Sequence, residues 1–121
     1  MKKLKLYSYS RCSTCVKAIK FLDSKNIDYK LIDITNEAPS AAELKKALSG
    51  FDGNIKKLFN TSGQVYRAEG YGEKLKSMSD AEAISDLTKN GKLVKRPVLV
   101  FDGKATCGFK EDVWNELLGT N

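Results

Sequence analysis

The stretch of residues 4–15, LKLYSYSRCSTC, carries the most informative pattern in the chain. Its leucines alternate with lysines and lead into two tyrosines, which is typical of a strand with one buried face. A turn is expected at Ser10–Arg11. From Ser13 to about Lys25 the apolar residues recur at spacings of three and four, which indicates an amphipathic helix. The residues on its predicted buried side are Cys15, Val16, Ile19 and Leu22. A pair of cysteines therefore stands where a strand gives way to a helix.

The segments that flank this stretch complete a mixed sheet. Tyr29–Ile34 is a second short strand, and strand–helix–strand implies parallel strands with a right-handed crossover. The continuous apolar run Pro97–Phe101 is expected of a strand covered on both faces. Asp102-Gly103 is a hairpin signal, and a short strand follows near Lys104–Thr106. The last helix ends at Gly119 and carries the apolar residues Val113, Trp114, Leu117 and Leu118.

The middle of the chain is predicted to be helical. Two capping boxes, Ser40-Ala-Ala-Glu43 and Ser79-Asp-Ala-Glu82, each open a helix. The first helix carries Leu44, Ala47 and Leu48 and stops at Gly50; the second carries Ala83, Ile84 and Leu87, with Gly91 as its stop. Residues 59–63 are expected to form a loop with a tight turn. The sequence thus predicts one α/β, thioredoxin-like domain over residues 1–121, in the order βαβ, helical insertion (about 36–92), ββα.

Bulk composition narrows the function classes. The 121 residues are 41% hydrophobic and 30% charged, which fits one globular domain. No apolar run is long enough to span a bilayer and no signal peptide is evident, so we expect a cytoplasmic protein that does not bind membranes. The net charge is +6, but the lysines are scattered among acids, which favours a solvated surface over direct DNA binding. Stable disulfides are rare in the cytoplasm, so a close cysteine pair there is catalytic, sensing or metal-bound.

The Cys12-Ser13-Thr14-Cys15 motif carries the predicted chemistry. Unpaired amides and the dipole at a helix N-terminus stabilise a thiolate at Cys12. Cys15 lies one turn further in and can attack a mixed disulfide formed on Cys12. Arg11 adds a positive charge beside the nucleophile, and small Ser13 and Thr14 leave the backbone amides free to donate.

Other interpretations of the pair are weaker. A zinc site needs a second pair of ligands, but only Cys107 remains and the chain contains no histidine, so no metal is expected. A phosphatase-type anion loop needs an arginine six positions after the cysteine, where Ala18 stands. Two cysteines that merely fill the core remain an alternative. Cys107 itself is expected to be a small buried hydrophobe, with a third redox thiol as the alternative.

The second element of the predicted site is Lys95-Arg96-Pro97, directly before the buried strand. Proline cannot donate to a sheet ladder, so it should open or bend that strand. A cis proline facing CxxC is usual in the thioredoxin fold. Arg96 would then point toward the Cys12 thiolate or an anionic substrate; the alternative is an ordinary surface arginine.

These motifs, together with Phe59-Asn-Thr-Ser-Gly63, Tyr66-Arg67 and Cys107-Gly-Phe109, resemble the ArsC/Spx family, in its CxxC subgroup, over essentially the whole chain. The resemblance implies a thioredoxin-like fold with a helical insertion. Members of the family include glutaredoxin-coupled arsenate reductases, glutathione-linked thiol reductases, and Spx-type regulators that bind the RNA polymerase alpha subunit.

The resemblance also implies roles for residues. Cys12 would be the nucleophile and Arg96 one of three arginines that hold the oxyanion. Asn60 and Gly108 stand where the other two would be, and Arg67 would substitute only if its loop carries it inward. Cys15 supplies a resolving thiol that single-cysteine arsenate reductases lack at this place, which favours dithiol redox chemistry.

We therefore expect a thiol–disulfide oxidoreductase, arsenate reductase-like in its family activity, that takes a small oxyanion or disulfide substrate. No tightly bound cofactor is expected, and glutathione, thioredoxin or glutaredoxin would supply electrons to a monomer. The alternative is an Spx-type, redox-switched transcriptional regulator that binds the RNA polymerase alpha subunit.

Overall fold

The structure, a computed structural model, describes residues 4–120. Its centre is a four-stranded sheet in the order β2-β1-β3-β4. The strands are β1 (Leu4–Ser8), β2 (Lys30–Asp33), β3 (Val98–Phe101) and β4 (Lys104–Cys107). β1 is parallel to β2 and antiparallel to β3, and β3 is antiparallel to β4. This is the mixed α/β, thioredoxin-like arrangement that the sequence predicts.

Six α-helices connect and cover the sheet in the described part of the chain. They are α1 (Ser13–Ser24), α2 (Ala41–Gly50), α3 (Gln64–Ala68), α4 (Tyr71–Lys74), α5 (Asp80–Lys89) and α6 (Glu111–Leu118). Two 3₁₀ helices, Ile55–Leu58 and Gly91–Leu93, lie between them. The predicted strand–helix–strand, helical middle and final hairpin with helix are all present.

Local sequence signals explain several boundaries. Both predicted capping boxes form, at Ser40 with Glu43 and at Ser79 with Glu82. The hairpin between β3 and β4 turns at Asp102-Gly103, whose φ angles of 51° and 77° are both left-handed. That pair of positive φ values defines the type I′ turn, whose twist matches that of the flanking strands.

Two details differ from the sequence prediction. Gly91 does not stop α5, which ends at Lys89; a Cβ at Gly91 would lie 1.8 Å from the Ile34 carbonyl oxygen, so the glycine permits a close approach of two backbones. Val16, predicted on the buried side of α1, is 42% exposed because the buried face of that helix runs through Cys15, Ala18 and Leu22.

Each face of the sheet carries its own hydrophobic core. On one face, α1 and α6 pack against β1 and β3; this core is Leu4, Leu6, Ala18, Phe21, Leu22, Leu99 and Trp114. On the other face the helical insertion covers Tyr7, Ile32, Val98, Ala105 and Cys107. Alternation of side chains along each strand assigns neighbouring residues to opposite cores. The chain passes from the carboxyl end of β1 into α1 at one edge of this two-sided core.

A polar network joins the insertion to the sheet. The Tyr7 hydroxyl donates to the Glu43 carboxylate at 2.8 Å, and Lys5 forms an ion pair with the same carboxylate. Burial raises the pKa of Glu43, but hydrogen bonds from Lys5, the Ser40 amide and Tyr7 outweigh it, so the pKa lies below its usual value. This network holds the start of α2 against β1. No helix within residues 4–120 has the length and apolar character needed to cross a membrane.

Candidate functional site

Cys12 is the residue that caps the N-terminus of α1. Its backbone is extended, its amide donates to the Tyr9 carbonyl at 3.1 Å, and its Sγ accepts a hydrogen bond from the Cys15 amide at 3.3 Å. The side chain is half-buried, and Cys12, Cys15 and Cys107 are all free thiols. The Cys12 sulfur therefore lies at the N-terminal end of the helix dipole.

Cys15 lies in a different environment although it is only one turn away. Its side chain is 1% exposed. Burial and a hydrogen bond to Cys12 raise the pKa of Cys15 to about 11, while hydrogen bonds from the Tyr9 backbone and the Ser8 side chain act in the opposite direction. The thiol form of Cys15 is therefore favoured in the reduced protein. The two sulfurs are close, but only Cys12 faces the surface.

The peptide bond between Arg96 and Pro97 is cis, as expected from the sequence. Pro97 is buried and its carbonyl accepts from the Gly108 amide at 2.8 Å, which joins the start of β3 to the end of β4. The Arg96 guanidinium lies 4.8 Å from the centre of the Tyr9 ring, a cation–π contact that fixes its position. Sequence reasoning missed Tyr9 as this partner.

Cys12 and Arg96 line one cavity of about 860 Å³. Its walls are the start of α1, the whole of β4, the carboxyl end of α2 and the first turns of α6. Five cationic side chains line it against a single carboxylate, that of Glu116; they are Lys57, Lys95, Arg96, Lys104 and Lys110. Four lysines that are spread along the sequence thus line one cavity, a clustering that no local pattern reveals.

The two positions where the resemblance implied missing arginines do line this cavity. Asn60 belongs to the predicted loop of residues 59–63, in which the Gly63 amide donates to the Asn60 carbonyl at 3.0 Å. Gly108 has a left-handed φ of 83°, and a Cβ there would lie 2.9 Å from Cε of Lys95. The Lys95 side chain therefore crosses the space beside Gly108. Lys95 therefore brings a positive charge to the position where the resemblance implies an arginine. Lys95 stands next to Arg96 in the sequence, but no role was predicted for it.

The remaining predicted residues divide between the cavity and the surface. Thr14 lines the cavity. Arg11 and Ser13 are exposed and lie outside its lining. Arg67 is also exposed and donates to the Ser62 carbonyl at 3.1 Å, so it braces the outside of the loop and does not line the cavity.

Cys107 lines the far side of the cavity but belongs to the core covered by the helical insertion. Burial raises its pKa to about 12, with the charge of Lys95 acting in the opposite direction. A buried thiol of this kind is a weak nucleophile. Across residues 4–120, no three Cys, Asp or Glu side chains are grouped as a metal site would require.

A mixed sheet, a cysteine at the start of the first helix and a cis proline before β3 together define a protein of thioredoxin-like fold. Comparison with known families is more specific. The ArsC family model matches residues 7–117. The chain belongs to the ArsC family.

Individual relatives agree with this assignment. The uncharacterised protein YusI of Bacillus subtilis (strain 168) is 41% identical over 113 residues, which is 93% of this chain and 96% of that protein. The crystal structure of a possible arsenate reductase from Streptococcus mutans UA159 is 41% identical, with a TM-score of 0.84 over 93% of this chain and 98% of the other. The global transcriptional regulator Spx of Listeria innocua is 25% identical over 107 residues, 88% of this chain and 80% of that protein.

Proposed function

We propose that this protein is a dithiol–disulfide oxidoreductase in which Cys12 attacks and Cys15 resolves. The observation that carries the proposal is the contrast between the two sulfurs. Cys12 Sγ accepts a hydrogen bond from the first turn of α1 and opens into a cationic cavity, whereas Cys15 is buried with its pKa raised to about 11. This contrast supports Cys12 as the thiol that meets a substrate and Cys15 as the thiol that meets only Cys12.

The reaction takes two exchange steps. The Cys12 thiolate attacks one sulfur of a substrate disulfide, forming a mixed disulfide and releasing the other substrate sulfur as a thiolate, which takes up a proton. Cys15 then gives up its proton and attacks the Cys12 sulfur, releasing the second substrate thiol. The substrate gains two electrons and two protons, and the protein retains a Cys12–Cys15 disulfide. Glutathione, thioredoxin or glutaredoxin would reduce that disulfide, and no tightly bound cofactor is needed.

Formation of the mixed disulfide favours the second step. In the reduced protein, the hydrogen bond to Cys12 is one of the causes that raise the pKa of Cys15. Once the Cys12 sulfur is bound to substrate it carries no negative charge, so this stabilisation of the Cys15 thiol is weakened. The backbone of Tyr9 and the hydroxyl of Ser8 still favour the Cys15 thiolate.

Arsenate fits this site less well than a disulfide does. A desolvated dianion needs several convergent donors to replace its hydration. Asn60 and Gly108 offer no charge, and Arg67 lies outside the cavity lining. Lys95 is exposed and flexible, so it replaces a fixed bidentate guanidinium poorly. We propose arsenate reduction as a weak activity of this chain.

Single-turnover assays test the proposal. Reduced protein mixed with bis(hydroxyethyl) disulfide should release about two thiol equivalents per protein, as the two-step exchange requires. After denaturation and alkylation, the oxidised protein should carry label on Cys107 alone. Cys107→Ser serves as the matched control and should turn over normally. Release of no thiol, or label on all three cysteines of the treated protein, would refute the dithiol mechanism.

Similarity to Spx supports a second candidate function, a redox-switched transcriptional regulator that binds the RNA polymerase alpha subunit. The same cysteine pair would then be a switch. This candidate predicts that the purified C-terminal domain of the alpha subunit captures the protein in one redox state of Cys12 and Cys15 and releases it in the other. It also predicts negligible turnover of small disulfides, so the two assays separate the candidates.

A further inference from the structure

The edge strand β4 presents unpaired backbone to the cavity. In the sheet order β2-β1-β3-β4 it pairs on one side only. Its two-residue hairpin places Phe101 opposite Lys104, and the Gly108 amide donates to the Pro97 carbonyl. Hydrogen-bonded and non-hydrogen-bonded pairs alternate along an antiparallel ladder. The amides and carbonyls of Ala105 and Cys107 therefore point away from β3.

Nothing in the described part of the chain pairs with these outward groups. Within residues 4–120, no hydrogen bond from another element reaches the backbone of Ala105 or Cys107. Helix α2 packs against β4 and shares the core of Leu44, Ala47 and Ala105 with it, but it makes no hydrogen bond with the outward backbone groups of the strand. Unpaired edge backbone is a template for an added strand.

The walls of the cavity make this edge the floor of a groove. All five residues of Lys104–Gly108 line the cavity. Phe51, at the end of α2, stands on one side, and Val113 and Leu117 of α6 stand on the other. The same groove reaches Cys12. If an extended segment of a substrate lies against β4, a disulfide next to that segment in the substrate chain can lie in the same cavity as Cys12.

We propose that the groove along β4 binds an extended, acidic polypeptide segment of a protein substrate, adjacent to the substrate's disulfide. This inference rests on the proposed function and identifies its substrate class. The backbone of the segment pairs with Ala105 and Cys107, as in β-strand addition to a sheet edge. Its carboxylates face the cationic lining of Lys57, Lys95, Arg96, Lys104 and Lys110, which Glu116 alone opposes.

Charge and length select this occupant. Complementary charge steers association and sets specificity, so a basic or neutral segment is disfavoured. A strand advances about 3.4 Å per residue, so a segment that covers all five lining residues of β4 and Gly108 is roughly 17 Å long. A tripeptide such as glutathione spans about 10 Å at the same rise and leaves the Lys104 end of the groove unfilled.

Binding can be measured without any redox step. In the double variant Cys12→Ser/Cys15→Ser, an eight-residue peptide rich in Asp and Glu, with Ser in place of its cysteine, should shift the backbone amide NMR signals of Ala105 and Cys107. A peptide of the same length with Lys in place of Asp and Glu is the control and should bind at least about tenfold more weakly. Equal binding of the two peptides, or shifts confined to another surface, would overturn the proposal.

Charge reversal tests the lining. In the same background, Lys104→Glu/Lys110→Glu should weaken binding of the acidic peptide about tenfold or more, and Lys20→Glu, an exposed lysine of α1 outside the cavity lining, should change it less than about twofold. Equal effects of the two changes would contradict a role for the groove.

Backbone methylation tests the strand pairing. In an extended peptide, alternate N–H groups point to opposite sides, so only every second one can donate to β4. Methylating one alternate set of peptide nitrogens removes the donors to β4, and methylating the other set leaves them intact. One methylated series should therefore lose binding about tenfold and the other should not. Equal effects, or competition by glutathione as strong as by the peptide, would overturn the pairing. Reduction of bis(hydroxyethyl) disulfide by the wild-type protein reports separately on the proposed function, so the two failures are distinguishable.

Discussion

The two walls of the cavity differ in how completely they are built. In the thiol wall, Cys12–Cys15, the Cys12 sulfur accepts a hydrogen bond from a helix amide and the Cys15 thiol is buried behind it. The strand wall, Lys104–Gly108, ends in a glycine where the family resemblance implies an arginine, and the side chain of Lys95 lies beside that glycine. Under the proposed function, the thiol wall would determine the chemistry and the strand wall would determine which substrate binds.

The largest effect is expected on the thiol wall. Cys12→Ser removes the nucleophile, so reduction of bis(hydroxyethyl) disulfide should fall by about three orders of magnitude or more. Cys107→Ser, on the strand wall, should stay within about twofold of the wild type because that thiol is buried and takes no part in the exchange. The measurement is kcat/KM for each variant. Comparable losses in Cys12→Ser and Cys107→Ser would contradict different roles for the two walls.

A positive charge introduced at Asn60, beside the strand wall, should increase the activity toward arsenate. Asn60→Arg supplies a fixed guanidinium to the cavity, and a charge-assisted hydrogen bond contributes roughly 1.5–3 kcal/mol, so kcat/KM for arsenate should rise about tenfold or more. Asn60→Gln is the matched control and should change little. Wild-type arsenate turnover already at about one per second would show that lysines and backbone amides complete the anion site without the arginine.

A smaller effect is expected from the residue behind the thiol wall. The hydroxyl of Ser8 lowers the pKa of Cys15, so Ser8→Ala should raise that pKa and slow the release of the second product thiol about two- to tenfold at neutral pH. Ser10→Ala, an exposed position nearby, is the control. A stopped-flow assay of thiol release resolves this step from the first, and an unchanged second rate would remove Ser8 from the resolving step.

The pH dependence of the same step follows from the Cys15 pKa of about 11 in the reduced protein. As long as the pKa in the mixed disulfide stays above the assay range, the thiolate fraction rises about tenfold per pH unit between pH 6 and pH 8. The rate of the second release should rise with it. A rate that is flat over this interval would show that another step, or a base outside the pair, limits resolution.

More of the thiol wall than of the strand wall could be predicted from the sequence, and the reason is physical. Capping boxes, the Asp102-Gly103 turn and the strand-to-helix position of Cys12 are local signals, read from residues that are close in the chain. The lysine-lined groove depends on β4 being an edge strand and on where α2 and α6 end, which only tertiary packing settles.

Two details of the fold differ from the sequence prediction for different reasons. Gly91 looked like a helix stop, but its lack of a side chain serves a contact with Ile34, which is distant in sequence. Val16 has the spacing of a buried residue, yet the buried face of α1 turns past it. For Gly91 a long-range contact decided the outcome, and no local pattern encodes that contact.

Trapping the mixed disulfide tests the roles proposed for Cys12 and Cys15. Cys15→Ser treated with a substrate disulfide should accumulate one mixed disulfide per protein, which intact mass spectrometry detects and peptide mapping assigns to Cys12, because the resolving thiol is missing. Cys12→Ser should accumulate little under the same conditions, since Cys15 is buried and mainly protonated. A mixed disulfide that forms on Cys15 in Cys12→Ser, with none on Cys12 in Cys15→Ser, would contradict the account.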